Sequence, residues 1–138
     1  MNAWPFLQEQ VTQSPTLLYM PYCQVVAAEM GEFLSGLSHP DRIRIVQELR
    51  TQECEVSRIR ESLKISPSRL SQHLSLLKAH HILKERRDGR KVLYQLRDPE
   101  IAKWLLEGMQ FLQLESQHSK EVSSALDHAI EDWESPSR

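Results

Sequence analysis

One segment of the chain, residues 65–77, has the pattern of a helix whose two faces need different partners. Ser66 is a favourable N-cap residue, and Pro67 suits the first helical position because its missing N–H would have no partner there. Three leucines recur at helical spacing and predict a buried stripe: Leu70, Leu74 and Leu77. The opposite face is predicted to carry five hydrogen-bonding side chains that suit base edges in a DNA major groove: Ser68, Arg69, Ser71, Gln72 and His73. Because many surface helices are amphipathic, this helix alone leaves both DNA binding and simple solvation open.

The segment that follows predicts a β-hairpin with a basic tip. Asp88-Gly89 is a strong two-residue turn signal. Three residues of the second strand alternate towards a core: Val92, Tyr94 and Leu96. Four cationic side chains crowd the turn: Arg86, Arg87, Arg90 and Lys91. They suit DNA phosphates or a narrow minor groove, although a solvated edge that deters aggregation would also use such charges.

Charge is distributed unevenly along the chain. The 138 residues have a formal net charge of −2. Residues 58–97 hold eleven Lys or Arg against three acids, a net charge of +8, so the remainder carries −10. A positive field concentrated on one part of the molecule attracts DNA, and the acidic part should face away from the duplex.

The rest of the chain is predicted to be mainly helical. Helices are expected over residues 22–37, from a Ser38 N-cap to about residue 50, and over residues 55–63. The helix over 55–63 and the helix over 65–77 would form a helix-turn-helix. With the basic hairpin after it, this order is typical of a winged helix and favours binding of double-stranded DNA.

The carboxyl-terminal third leaves one question open. Asp98 is predicted to cap a helix that starts at Pro99. Its apolar rhythm breaks at Glu115 and Ser119 and then resumes as far as Trp133. One long helix and two shorter helices both fit this pattern.

Composition excludes several classes of protein. No run of about 18 apolar residues exists for a membrane span, and no secretion signal opens the chain, so a cytoplasmic protein without a membrane partner is expected. Two cysteines are too few for a disulfide framework or a zinc-finger ligand set. The sequence also lacks a phosphate-binding glycine loop and a nucleophile elbow. We therefore expect no enzyme activity, no cofactor and no bound metal.

Three motifs in this order resemble the ArsR/SmtB family of bacterial winged-helix repressors. They are LSHPDRIRI at 37–45, SPSRLSQHLSLL at 66–77 and RRDGRKVLY at 86–94. The resemblance covers roughly residues 25–112 and implies a homodimer on operator DNA, held together by the first and last helices of each protomer. Here those helices would start near Tyr22 and Asp98. The resemblance further implies that a metal ion or a thiol modification releases the operator.

The resulting fold class is mainly α with a small β-hairpin: a winged helix-turn-helix, dimeric through its first and last helices. Three regions are expected: an N-terminal arm (1–20), a winged helix-turn-helix DNA-binding and dimerisation domain (21–116), and a C-terminal helical extension and tail (117–138).

The chain departs from the metal sites of the family. One family site uses two thiols before the recognition helix, and the matching positions here are Glu55 and Ser57. In a second site the matching Asp98 is kept, but three other ligand positions carry different residues: Glu100, Phe111 and Leu114. Apolar side chains cannot ligate zinc, so the resemblance implies that this zinc site is lost.

Cys23 and Cys54 remain as a candidate sensor, because some relatives bring the corresponding regions together across the dimer. Reversible oxidation, persulfide chemistry or soft-metal capture are the functional interpretations, and two buried, inert thiols are the alternative. The neighbouring acids Glu53 and Glu55 are expected to raise the pKa of Cys54. The predicted function is a dimeric, sequence-specific repressor of unknown inducer; the alternative is a winged helix used as a protein-interaction module.

Overall fold

The structure is a computed structural model that describes residues 16–115 and 119–135. Its elements are, in chain order, α1 (Thr16–Leu37), α2 (Pro40–Glu48), β1 (Cys54–Glu55), α3 (Val56–Leu63), α4 (Pro67–Ala79), β2 (Leu83–Asp88), β3 (Lys91–Leu96), α5 (Glu100–Glu115) and α6 (Lys120–Glu134). The helix pair α3–α4 followed by the hairpin β2–β3 confirms the predicted winged helix-turn-helix. None of the helices in the described segments is long and apolar enough to cross a membrane.

The chain divides after Ser35 into two compact units. The described part of the first unit is residues 16–35 of α1, a helix that begins at Thr16 rather than near Tyr22. Residues 16–20 of the expected N-terminal arm are therefore helical, and residues 1–15 lie outside the described part of the chain. Several apolar residues of α1 are exposed: Tyr22, Val25, Val26, Met30 and Leu34.

The start of α2 differs by one residue from the prediction. The N-cap is His39 rather than Ser38, because the Asp41 N–H donates a hydrogen bond to Nδ1 of His39 at 3.1 Å. Pro40 occupies the first helical turn, as expected. This cap places the carboxylate of Asp41 in the first turn, where the helix dipole favours a negative charge.

The helix-turn-helix forms largely as the sequence predicts. The helix α3 ends at Lys64, whose left-handed backbone (φ 54°) terminates the helix and redirects the chain. Ser66 then caps α4 by accepting a hydrogen bond from the Arg69 N–H at 3.3 Å. The predicted stripe of α4 is buried, and the largest fully buried side chains of the core are Ile45, Ile59, Leu70, Leu77, Ile82 and Val46.

The hairpin belongs to a three-stranded antiparallel sheet with the order β1-β3-β2. The strands β2 and β3 pair from Leu83↔Leu96 to Asp88↔Lys91. The two-residue loop is therefore Gly89-Arg90, one residue later than predicted. Gly89 has φ +60°, which fits a type II′ turn with glycine at its first central position.

The carboxyl-terminal third forms two helices, which settles the open question. Asp98 Oδ1 accepts a hydrogen bond from the Glu100 N–H at 3.0 Å at the start of α5. Ser119 caps α6, and residues 116–118, where the expected domain boundary falls, lie outside the described residues. The end of α6 is held against the end of α2, because Gln47 of α2 donates to Oδ2 of Asp132 and Arg50 donates to its backbone oxygen, both at 2.8 Å.

Candidate nucleic-acid interface

Four of the five predicted base-reading residues lie on the solvent side of α4. The exposed residues are Ser68, Arg69, Ser71 and Gln72. They occupy the first two turns of the helix, and its other face carries the buried leucines. These four side chains supply the donors and acceptors that major-groove recognition needs.

The prediction that His73 lies on the exposed face of α4 is wrong. This residue is only 8% exposed, and its ring packs against His39 with 4.5 Å between the ring centroids. The reason is helical spacing: His73 follows Leu70 by three residues and precedes Leu77 by four, so it belongs to the buried stripe. This spacing indicates burial, whereas the polarity of the imidazole favours the surface.

The buried carboxylate of Asp41 connects α2 to the recognition helix. Its Oδ2 accepts a hydrogen bond from Nη2 of Arg69 at 2.9 Å, and its Oδ1 lies 3.5 Å from Nη1 of Arg44. Nε2 of His73 lies 3.5 Å from the same Oδ2. The Arg69 side chain is 57% exposed, so its guanidinium is anchored at one edge while the rest faces solvent. Asp41 is not among the residues predicted for this site from the sequence.

His73 has a lowered pKa and unused hydrogen-bonding capacity. Burial is the main cause that lowers its pKa; the adjacent His39 acts in the same direction, and the attraction of Asp41 is too weak to reverse the shift. Among the described residues, neither ring nitrogen of His73 has a hydrogen-bond partner. A buried imidazole without partners is unusual, because buried polar groups are nearly always hydrogen-bonded.

Three of these side chains, His39, Asp41 and His73, also form a group of possible metal ligands. One ligand atom each from His39, Asp41 and His73 lies within 4.8 Å of the other two. No bound metal was expected from the sequence. His39 and His73 are 34 positions apart, and only the packing of α2 on α4 brings them together. In the sequence, only the HPD motif at 39–41 places two of the three candidate ligands close together.

The basic tip of the hairpin divides into paired and unpaired cations. Arg86 donates to Glu53 through Nη2 at 2.5 Å, and this hydrogen bond lowers the pKa of Glu53. Nζ of Lys91 lies 3.3 Å from Oε2 of Glu55. Arg87 and Arg90 are exposed, and no described carboxylate lies within 4.0 Å of either. Two of the four predicted cations are therefore directly available to phosphates.

A second polar cluster connects the end of α4 to the hairpin. Lys78 Nζ lies 2.6 Å from Oε2 of Glu85, and the Tyr94 hydroxyl donates to the same oxygen at 3.1 Å. The hydrogen bond from Lys78 lowers the pKa of Glu85, whereas burial is the first cause that raises the pKa of Tyr94. These contacts connect the last turn of the recognition helix to both strands of the hairpin.

The two cysteines have different surroundings. Cys23 is exposed on α1, whereas Cys54 is buried on β1 and its thiol donates to the backbone oxygen of Glu48 at 3.7 Å. The pKa of Cys54 is raised as predicted, but the first cause is burial, and the contributing acid is Glu48. Because the thiolate is the reactive form, Cys54 matches the inert alternative.

Comparisons with known proteins agree with this architecture. Residues 39–84 match the family described as "Bacterial regulatory protein, arsR family". A transcriptional repressor SmtB homolog of Synechocystis is 35% identical over 94 residues, which span 67% of this chain and 68% of that protein. The HTH-type transcriptional repressor SmtB of Mycobacterium tuberculosis is 34% identical over 101 residues, 73% of this chain and 74% of its own length.

A solved structure supports the same assignment. The crystal structure of NolR from Sinorhizobium fredii is 30% identical, covers 66% of this chain and 91% of its own, and superposes with a TM-score of 0.61. Sequence motifs, the helix-turn-helix with its hairpin, and these relatives all lead to one conclusion. The chain belongs to the ArsR/SmtB family of DNA-binding transcriptional repressors.

Proposed function

We propose that the chain represses transcription as a homodimer on double-stranded operator DNA, with α4 in the major groove and the hairpin on the backbone or minor groove. The observation that carries the proposal is the exposed polar face of α4 together with the exposed cations Arg87 and Arg90 of the hairpin. Together these residues combine groups that read base edges with groups that bind phosphates, as specific recognition requires.

Arg69 is the main base-reading residue in this proposal. A guanidinium pairs with guanine through two parallel hydrogen bonds, and its fixed geometry makes that contact selective. The bond to Asp41 at 2.9 Å supports this role because it reduces the rotational freedom of an otherwise exposed side chain. The remaining contacts to bases are assigned to three residues of α4: Ser68, Ser71 and Gln72.

The hairpin cations have two roles in the proposal. Arg87 and Arg90 bind phosphates directly. Before they can bind DNA, Arg86 has to leave Glu53 and Lys91 has to leave Glu55. Breaking these ion pairs costs little free energy because both are partly exposed to solvent.

The proposed dimer is supported by apolar residues on two separate helices. On α1 the exposed residues include Val26, Met30 and Leu34, and on α5 they are Phe111, Leu112 and Leu114. Exposed apolar groups of this kind are typical of an interface. A two-fold dimer would place two recognition helices about 34 Å apart, so the operator should be an imperfect palindrome.

The signal that releases the operator is proposed to be chemical, either a thiol modification or a metal ion. For thiol chemistry the exposed Cys23 is the accessible group, whereas Cys54 reacts only if its surroundings open. Peroxide or polysulfide should then weaken operator binding in the wild type and leave Cys23→Ser unaffected.

Selection from random duplexes, followed by anisotropy titrations at two salt concentrations, tests the DNA proposal. Arg69→Ala should lose about 1–3 kcal/mol on the selected site and discriminate less between bases. Arg90→Ala should weaken all sequences alike and flatten the salt dependence. The control is Lys120→Ala, which removes an exposed charge on α6 and should change neither property. Selection that enriches no sequence would refute the proposal and favour a protein-interaction module.

A further inference from the structure

We propose that His39, Asp41 and His73 form a binding site for a divalent transition metal ion, with Zn²⁺ as the ion they suit best, and that the ion displaces Arg69 from Asp41. Two imidazole nitrogens and one carboxylate oxygen are a common ligand set for zinc, and a water molecule can complete the tetrahedron. No residue of this group coincides with the positions at which the resemblance implied a metal.

The distances suit this coordination. A tetrahedral zinc site with bonds of 2.0–2.1 Å holds its ligand atoms about 3.3 Å apart. Nε2 of His73 and Oδ2 of Asp41 are already 3.5 Å apart. All three ligand atoms lie within 4.8 Å of one another, so the proposal requires the half-buried His39 ring to move closer to the other two ligands.

The state of His73 points independently to a ligand. Its side chain is about nine-tenths buried, directed at Asp41, and without a hydrogen-bond partner on either ring nitrogen among the described residues. A metal ion would satisfy one of these nitrogens. The neighbouring carboxylate would offset part of the positive charge of the ion.

Two existing hydrogen bonds would have to break when the ion binds, and one of them involves Arg69. The guanidinium of Arg69 occupies Oδ2 of Asp41, and it can leave because most of its side chain is exposed. The N-cap bond from the Asp41 N–H to His39 is also lost, because Nδ1 of a ligating histidine either binds the ion or carries the ring proton. The proposal is therefore that the ion and Arg69 compete for the same oxygen of Asp41.

A titration of the full, chelator-treated chain with Co²⁺ tests the site without DNA. We expect the visible absorption bands of tetrahedral Co²⁺ to appear. Added Zn²⁺ should then displace the Co²⁺, so that the bands disappear. His73→Ala should weaken binding at least about tenfold, because even loss of a group that only supports a ligand has that effect. His39→Asn should do the same while it keeps a side chain that caps helices well. The control is His128→Ala, an exposed histidine of α6, which should bind Co²⁺ like the wild type.

The competition has its own signature. Arg69→Ala should bind Co²⁺ more tightly than the wild type, since Asp41 no longer has to exchange a partner. Metal binding that is equal in the wild type and in a folded His39→Asn variant would overturn the site, and unchanged affinity in Arg69→Ala would overturn the competition.

The consequence for DNA rests on the proposed function. Zn²⁺ should weaken operator binding by about tenfold in the wild type, because Arg69 loses its anchor, and should have no effect on His39→Asn. A chain that binds Co²⁺ as predicted but no operator in any condition would refute the proposed function and leave the metal site standing. Equal Zn²⁺ effects on both chains would refute the coupling.

Discussion

Replacement of Gly36 by alanine is predicted to destabilise the protein, although alanine is the better helix former. Gly36 is the last but one residue of α1 and lies in the second unit. A Cβ atom at this position would come within 2.8 Å of Cβ and Cγ of His80 and within 3.0 Å of Cδ1 of Ile82. The Cβ of His80 is bonded directly to the backbone, so it cannot rotate away.

Two opposing effects determine the magnitude. Alanine in place of glycine stabilises a helix interior by at most about 1 kcal/mol. An extra methyl group forced into a packed region costs about 1–3 kcal/mol. Since the contacts are below any normal van der Waals distance and one neighbour is rigid, the steric cost should exceed the gain, with a net loss of about 1–2 kcal/mol. For a chain of 138 residues the Tm should fall by roughly 3–7 °C.

Urea unfolding followed by far-ultraviolet circular dichroism, at one fixed protein concentration, measures this difference. The control is Gly31→Ala: no atom lies within 4 Å of a Cβ at that position, so this variant should be more stable than the wild type by up to about 1 kcal/mol. In a His80→Gly background the cost of Gly36→Ala should shrink. Equal stabilisation by the two glycine replacements, or an unchanged cost after removal of the His80 side chain, would refute the steric argument.

Three further predictions concern assembly, pH and thiol reactivity. Phe111→Glu places a charge on the exposed apolar face of α5 and should give folded monomers in sedimentation, with weakened operator binding; a variant that stays dimeric would contradict the proposed interface. The folded pKa of Glu85 lies below its usual value of 4.5, so this carboxylate stabilises the fold above pH 4.5, and that contribution is lost as the pH falls through the lowered pKa. Glu85→Gln should therefore flatten the acid side of a plot of urea midpoint against pH, and a profile parallel to the wild type would refute the assignment. A thiol reagent should label Cys23 rapidly and Cys54 only after unfolding; equal rates in the native protein would contradict the burial of Cys54.

Local signals in the sequence were sufficient for the recognition helix and much of its surroundings. Ser66 and Pro67 mark the start of α4 because capping depends on a side chain and the backbone three residues away. The leucine stripe and the alternation around Tyr94 follow from helix and strand periods alone. The hairpin was located within one residue, although the exact turn depends on strand register, which pairing between strands decides.

Tertiary structure decided the chemistry of the site. His73 has the period of the core and the polarity of the surface, and only the packing of α2 on α4 resolves that conflict in favour of burial. The partnership between Asp41 and Arg69 spans 28 positions, and no local pattern encodes a contact at such a distance. The burial of Cys54 could not be predicted locally either, because its strand β1 pairs with the distant strand β3. The sequence by itself therefore determined the elements and the side on which DNA is expected, because these follow from periodicity and charge. Which polar groups pair, and which remain available to a ligand, depended on the three-dimensional packing of elements that lie far apart along the chain.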